Sequence, residues 1–459
     1  MDERIKKNLI GIAGRENVSE ALVDRINCSQ DFSEHRYLPE GTVWPTTTEQ
    51  VSAVLRLASQ EKIPVTPRGA GTGATGMAVP CRGGIVLDLV RMNRILKISI
   101  EDRLAVVQPG VVYADLQRAL GRFGFFFPPD PASGKVATLG GNVATNAGGI
   151  KGAKYGTTKD YVLGLEVVLP DGRVMRTGSN CMKSVSGYEL TQLFVGSEGT
   201  LGVITEIRLK ISPLPTASST GLAAFDRLRD AGQAVTQIMY SGIIPSVCEI
   251  LDRQTIDLLI RHTEVDLPPS EAIILVETDG YTPAETEFQM QKIIEVFKKN
   301  RAVQIKQAAS AAEAESLWSA RKSLGSVIMR FKPNFLVEDV TVPMSRITDL
   351  LEGIEAIGRH YGLDLVTFGH AGDGNLHPHV MYDGANPEEV NRVHQAAADL
   401  FRLTCELGGT LTGEHGIGLS KAPFMSLEHD PVALEMMRAL KRVFDPQNIL
   451  NPGKMGLEG

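Results

Sequence analysis

Between Arg68 and Gly76 the chain reads Arg-Gly-Ala-Gly-Thr-Gly-Ala-Thr-Gly, four glycines in nine residues, and the segments flanking this loop restrict the fold more than any other feature. Successive glycines let neighbouring backbone N–H groups converge on one anion, such as a pyrophosphate. A Rossmann dinucleotide fold places such a loop between a strand and the start of a helix. Ile63-Pro-Val-Thr-Pro before the loop reads as a short strand, but Gly83-Gly-Ile-Val-Leu-Asp-Leu after it reads as another strand. The Rossmann reading fails on that point. Upstream, Thr46-Thr-Thr-Glu-Gln opens a helical pattern with apolar positions at Val51, Val54, Leu55 and Ala58.

Two further glycine-rich segments follow. Ala137-Thr-Leu-Gly-Gly-Asn142-Val-Ala-Thr145-Asn146-Ala-Gly148-Gly149 combines backbone room with short amide and hydroxyl side chains, which suits a surface lying against a flat polar ligand. A pair of tight turns is the plainer alternative for so many Gly and Asn residues. Phe194-Val-Gly-Ser-Glu198-Gly-Thr-Leu-Gly202-Val-Ile204-Thr passes from a glycine turn into an alternating strand. Three such loops imply one extended ligand.

A different chemistry gathers near the C-terminus. Phe368-Gly-His370-Ala-Gly-Asp373-Gly-Asn-Leu-His377-Pro-His379 and Gly413-Glu414-His415-Gly416 hold four of the nine histidines in two glycine-flanked stretches. With glycines between them, two imidazoles in an H-x6-H pair can turn onto one ion, and a carboxylate from a separate turn can complete the set. Taken alone, this pattern also fits a zinc hydrolase. His379 alternates in phase with His377 and so faces the same side of a strand, as a fourth ligand, a substrate contact or neither. Asp373, between two glycines, reads as a turn former.

At 459 residues the chain exceeds what one core usually organises, so two or three domains are expected. A net charge of −7 without any basic run leaves no footprint for nucleic acid or an anionic membrane. Five scattered cysteines without a C-x-x-C pair fit a reducing compartment and give no iron–sulfur ligand set, so electrons must leave through another molecule. Neither a leader-like N-terminus nor a membrane-length apolar run is visible, and a cytoplasmic protein is expected. After Ser212-Pro-Leu-Pro, strand patterns at 272–277 and 335–342 alternate with helical patterns at 285–298, 347–360 and 387–407, the last leading toward Glu414. That is α+β texture without a solenoid repeat.

The motifs P-R-G-x-G-T-G, G-G-N-V-A-T-N-A-G-G and G-S-E-G-T-L-G-x-I-T, in this order, resemble the FAD domain of the vanillyl-alcohol oxidase superfamily. H-x-G-D-G-N-L-H, G-E-H-G-I-G and the terminal Asn451-Pro-Gly-Lys narrow the resemblance to FAD-linked 2-hydroxy-acid dehydrogenases and oxidases: the glycolate oxidase FAD subunit, D-lactate dehydrogenase and D-2-hydroxyglutarate dehydrogenase. The similarity runs from about Pro45 to Lys454. It implies an α+β protein with a two-subdomain α/β FAD-binding domain of PCMH type over residues 1–214. A substrate and metal-binding domain on an antiparallel sheet would follow over 215–415, and a C-terminal segment, 416–459, would return to the FAD domain.

The resemblance also implies roles. Arg68, Gly69, Gly71, Thr72, Gly73, Thr138, Gly141, Asn142, Thr145, Asn146, Gly148, Glu198, Gly202, Ile204 and Asn451 are expected to hold FAD. The attachment would be noncovalent, since 68–76 contains no histidine. His370, His377 and Glu414 are the expected ligands of one divalent metal, zinc, iron or manganese. His415 is the expected general base, and Arg321, in Leu317-Trp-Ser-Ala-Arg-Lys, the residue that grips the substrate carboxylate. The implied reaction is oxidation of a short D-2-hydroxy acid, D-lactate or glycolate, with hydride passing to the flavin. Electrons would go on to an electron-transfer flavoprotein, an iron–sulfur subunit or a quinone, and a homodimer is a further expected association. D-2-hydroxyglutarate dehydrogenases carry asparagine where His379 stands, which shifts the expectation toward the smaller acids. That enzyme, a non-redox alkyl-glycerone-phosphate synthase and a noncatalytic FAD-carrying subunit are the alternatives.

Overall fold

A computed structural model describes residues 1–458 and divides into two compact units. The first comprises Met1–Gly149, Thr157–Leu214 and Glu414–Gly459; the second comprises Ile150–Gly156 and Pro215–Gly413. Two segments thus lie elsewhere than the sequence boundaries suggested: Glu414 and His415 cluster with the first unit, and residues 150–156 with the second. The short helix Gly152–Tyr155 is held in the second unit because Asp279 accepts hydrogen bonds from both Lys154 Nζ and Tyr155 Oη.

The first unit contains two main sheets. In one, the strands run Val18–Ser19, Gly41–Val43, Ile85–Asp88 and Val65–Arg68 across the sheet, and the last three are mutually parallel. Helix Thr48–Glu61 joins Gly41–Val43 to Val65–Arg68; the Thr47 hydroxyl caps it, and it buries Val51, Val54, Leu55 and Ala58. After the loop at Arg68–Gly76 the chain enters strand Ile85–Asp88 with no intervening helix, so the topology departs from the Rossmann pattern. The second sheet is antiparallel, in the order Ile95–Ser99, Leu104–Val107, Val203–Lys210, Val162–Val168 and Val174–Gly178. The C-terminal residues pair with the first sheet: Val65 donates its N–H to Ile449 O, and Asn451 donates to Val65 O. Lys441, buried on helix Pro431–Phe444, secures this return by donating to Thr200 O at 2.8 Å, Leu450 O at 2.9 Å and the Asp445 carboxylate at 2.5 Å.

The second unit is built on one antiparallel sheet in the order Gln304–Gln307, Ala217–Phe225, Ala272–Gly280, Val247–Asp252, Asp364–His370, Asn375–Tyr382 and Asn334–Val337. Leu222, Ala224, Ile273 and Leu275 pack with helices Arg253–His262 and Ala311–Phe331. Alternation turns Phe225 to the opposite face, where its ring meets Phe297 of helix Pro283–Lys299. Helices on both faces explain why Ala272–Gly280 is almost continuously buried. The strand expected over 335–342 is two pieces, Asn334–Val337 and Val340–Thr341, both paired to Asn375–Tyr382. It breaks at Glu338-Asp339 because Asp339 turns inward, as described below. No helix among the described residues is long and apolar enough to cross a membrane.

Candidate active site

In the first unit the three glycine-rich segments converge. Gly69 sits so close to Thr138 that a Cβ there would collide with the threonine Oγ1, and Gly71, at φ +68°, leaves room for the Arg68 guanidinium. Arg68 itself folds back to donate to Ala78 O and Asn27 O, both at 3.3 Å. Thr72 lies between Gly71 and Gly73, whose carbonyl accepts from Phe32 N at 2.8 Å. The second segment is not a pair of turns but a short helix, Leu139–Thr145, capped by Thr138 Oγ1 accepting from Gly141 N. Asn146 closes it in the left-handed conformation, φ 55°, where an asparagine is tolerated. Its Oδ1 accepts from Lys159 N and Thr157 Oγ1, while Thr145 Oγ1 donates to Gly141 O.

The third segment docks on that helix, with Gly196 N donating to Val143 O and Glu198 N to Ala144 O. Gly202 is needed for packing, since a Cβ would run into Val167, and Ile204 is buried in the strand that follows. Asn451 then ties the first and third segments together, donating from Nδ2 to Met77 O at 2.9 Å and Glu198 O at 2.7 Å.

Two buried polar atoms in this cradle have no hydrogen-bond partner among the described residues: Asn142 Nδ2 and Asn451 Oδ1. A buried amide left unpaired is costly, so both atoms fit a polar ligand such as FAD lying across the three segments. The cavity of about 270 Å³ beside Arg68, lined by Asp24, Asn27, Cys28, Trp44 and Asp88, is too small for a dinucleotide. Glu198 spends its carboxylate inside the protein, accepting from Ile417 N at 2.7 Å and Gly418 N at 2.9 Å. Burial pushes its pKa up to about 7 despite those two amides.

Glu414 and His415 are anchored on the same cradle. Gly148 leaves open the space beside the Glu414 carboxylate, which a Cβ would approach to 3.2 Å. His415 O accepts from Thr75 Oγ1 at 3.4 Å, its Nε2 lies 3.8 Å from Glu414 Oε1, and the following amides are those bound to Glu198.

The second unit contains the histidine hairpin. His370 ends strand Asp364–His370 and His377 lies in Asn375–Tyr382, with ring centroids 4.9 Å apart at 79° and ligand nitrogens within 4.8 Å of each other. The turn is compact: Gly374, at φ +81°, lies against Val342 O, and Asp373 Oδ1 accepts from Asn375 N as a turn former. His379 stacks on Phe368, with centroids 4.6 Å apart at 20°, and its Nδ1 lies 2.8 Å from His377 O.

Two carboxylates that the sequence did not assign lie beside this hairpin. Glu249, in strand Val247–Asp252, is directly opposite His370 in the sheet register. Its Oε1 is 2.5 Å from His370 Nδ1, and its Oε2 accepts from Arg321 Nε at 2.5 Å. Burial alone would raise its pKa, but the opposing charges and bonds of His370 and Arg321 prevail and hold it well below the usual carboxylate range. The Arg321 guanidinium lies over the Phe368 ring, 4.6 Å from its centroid. Asp339, fully buried, accepts from Asn375 Nδ2 at 2.5 Å, Thr412 Oγ1 at 2.6 Å and Gly413 N at 2.9 Å, and its Oδ1 is 3.9 Å from His377 Nδ1. Lys332 is paired with Asp364 and Glu389. The signal for Glu249 was present as a single charge inside the apolar run Val247-Cys-Glu-Ile-Leu.

His370 and His377 place ligand nitrogens within 4.8 Å of each other, a donor pair that fits a divalent cation. A carboxylate only accepts, so a neutral His370 carries its proton on Nδ1 and presents the Nε2 lone pair.

Residues 214–455 match the family of FAD linked oxidases, C-terminal domain, and residues 39–178 match an FAD binding domain. The chain is 44% identical over 454 residues to the glycolate oxidase subunit GlcD of Bacillus subtilis (strain 168), covering 98% of this chain and 96% of that protein. It is 36% identical to a D-lactate dehydrogenase of Anaerostipes hadrus, covering 91% and 89% respectively. Among solved structures, p-cresol methylhydroxylase with substrate bound shares the fold, with a TM-score of 0.83 at 21% identity, covering 99% of this chain and 96% of that one.

Proposed function

The chain belongs to the FAD-linked oxidase family as an FAD-dependent hydroxy-acid dehydrogenase, and from that premise we propose that it oxidises a short D-2-hydroxy acid, D-lactate or glycolate, to the 2-oxo acid. The observation that carries this reading is the His370–His377 ring pair on one hairpin, with His370 oriented by Glu249. With Glu414 these residues are the proposed ligands of one zinc, iron or manganese ion. Gly413, whose N–H is fixed by Asp339, is the residue before Glu414, which supports the assignment. Bound there, such an ion would act as a Lewis acid that lowers the pKa of the substrate hydroxyl. FAD, when bound, supplies the hydride acceptor.

The chain's own residues do the rest. Arg321 has its Nε occupied by Glu249, so it binds the substrate carboxylate end-on through its two Nη groups. His415 takes the hydroxyl proton on a ring nitrogen as the general base. His379, stacked on Phe368, offers an aromatic wall, which favours the monocarboxylic acids over D-2-hydroxyglutarate. FAD is held noncovalently by the three glycine-rich segments, and its electrons pass to a separate carrier, an electron-transfer flavoprotein or an iron–sulfur subunit.

The test is anaerobic mixing of the FAD-loaded protein with D- and L-2-hydroxy acids while following the yellow flavin absorbance. D-lactate or glycolate should bleach it, and prior chelation should abolish the bleaching without releasing FAD. Bleaching that survives complete metal removal refutes the metal's role.

A further inference from the structure

The geometry points to Glu249 as a positioning residue that orients two arms of the substrate site at once, the imidazole of His370 through Oε1 and the guanidinium of Arg321 through Oε2. This rests on the reading above, in which His370 binds the metal and Arg321 the substrate carboxylate.

Glu249 has no exposed surface and sits in the middle of the sheet, in register with His370 across one strand pairing. Among the described residues Oε1 pairs with His370 Nδ1 and Oε2 with Arg321 Nε, both at 2.5 Å. The bond to Nδ1 sets the His370 tautomer and ring plane. The bond to Arg321 Nε, together with the face of Phe368 beneath the guanidinium, fixes the plane of the fork. Two groups 49 residues apart in the sequence are therefore held in one frame by a third. A shift of either would misplace the carboxylate end of the substrate relative to its hydroxyl end. A glutamine here could serve one partner with its oxygen but would turn N–H toward the other, so Glu249→Gln must break one arm. Glu249→Asp keeps the charge and withdraws it by one methylene.

The experiment uses the full FAD-loaded chain stripped of metal, titrated with Zn²⁺ against a chromophoric chelator. At saturating Zn²⁺, oxalate is then titrated while the flavin spectrum is monitored. Wild type should bind one Zn²⁺ per chain, and His377→Ala should lose it. Glu249→Gln should bind Zn²⁺ about 10- to 100-fold more weakly, or oxalate more weakly by at least about tenfold, with FAD content unchanged; Glu249→Asp should fall between it and wild type. If Glu249→Gln does not fold, Glu249→Asp carries the same comparison. A wild type that takes up no Zn²⁺ overturns the metal reading and this inference with it. One Zn²⁺ in wild type, lost in His377→Ala, with both affinities unaltered in the Glu249 variants, overturns this inference alone.

Discussion

Arg321→Lys tests the carboxylate grip while leaving the core in place. Lysine keeps a positive charge opposite Glu249, whose buried carboxylate would otherwise lose a partner, so the variant should fold and retain FAD. What it lacks is the fork. Arg321 spends Nε on Glu249 and has two Nη groups for the substrate, whereas one ammonium has to divide itself between the two carboxylates. Losing one charge-assisted hydrogen bond costs about 1.5–3 kcal/mol, or about 10- to 150-fold in affinity; losing both costs about twice that energy. Because the carboxylate is held alike in the ground state and the transition state, the loss should fall mainly on substrate Kd and less on the rate of flavin reduction. Anaerobic stopped-flow reduction by D-lactate over a range of concentrations separates the two. A Kd within about threefold of wild type in a folded, FAD-loaded variant, well short of the loss of a single charged bond, would refute the role given to Arg321.

His415→Gln should slow flavin reduction by about 100- to 10,000-fold while leaving substrate Kd near the wild-type value, as expected for loss of a general base; single-turnover kinetics will show whether the rate or the Kd moves. Gly69→Ala drives a methyl into Thr138 Oγ1 and so disturbs the cap of helix Leu139–Thr145; equilibrium dialysis should find weaker FAD retention, and unaltered retention counts against that loop as cofactor-binding. Lys441→Met strands the buried Asp445 carboxylate and the carbonyls of Thr200 and Leu450. Unpairing one partner of a buried ion pair costs about 3–5 kcal/mol, which urea denaturation should register as a lower midpoint.

Much of the chemistry was legible in the sequence because it resides in short runs. The glycine loops, the histidine hairpin and the strand after Gly83 are each defined by residue type and local spacing, and each lies in the structure where those runs suggest. The helix at Leu139–Thr145 was less legible: its glycines argue for turns, and only the cap at Thr138 and the left-handed stop at Asn146 show how so unpromising a composition is held helical. Glu198 illustrates a different limit. Its motif suggested contact with the cofactor, yet its carboxylate serves the backbone of residues 417–418, more than two hundred positions away.

By itself, then, the sequence determined which family of flavin enzymes this chain joins and which imidazoles are candidates to bind an ion. Tertiary structure decided what holds those groups in place. Glu249 meets His370 across 121 residues and Arg321 across 72, and Asp339 meets Gly413 across 74. Such partners are chosen by strand register and by the face of a helix that packs on the sheet. Register depends on the cooperative burial of both faces of the sheet, and no spacing rule within one segment contains it.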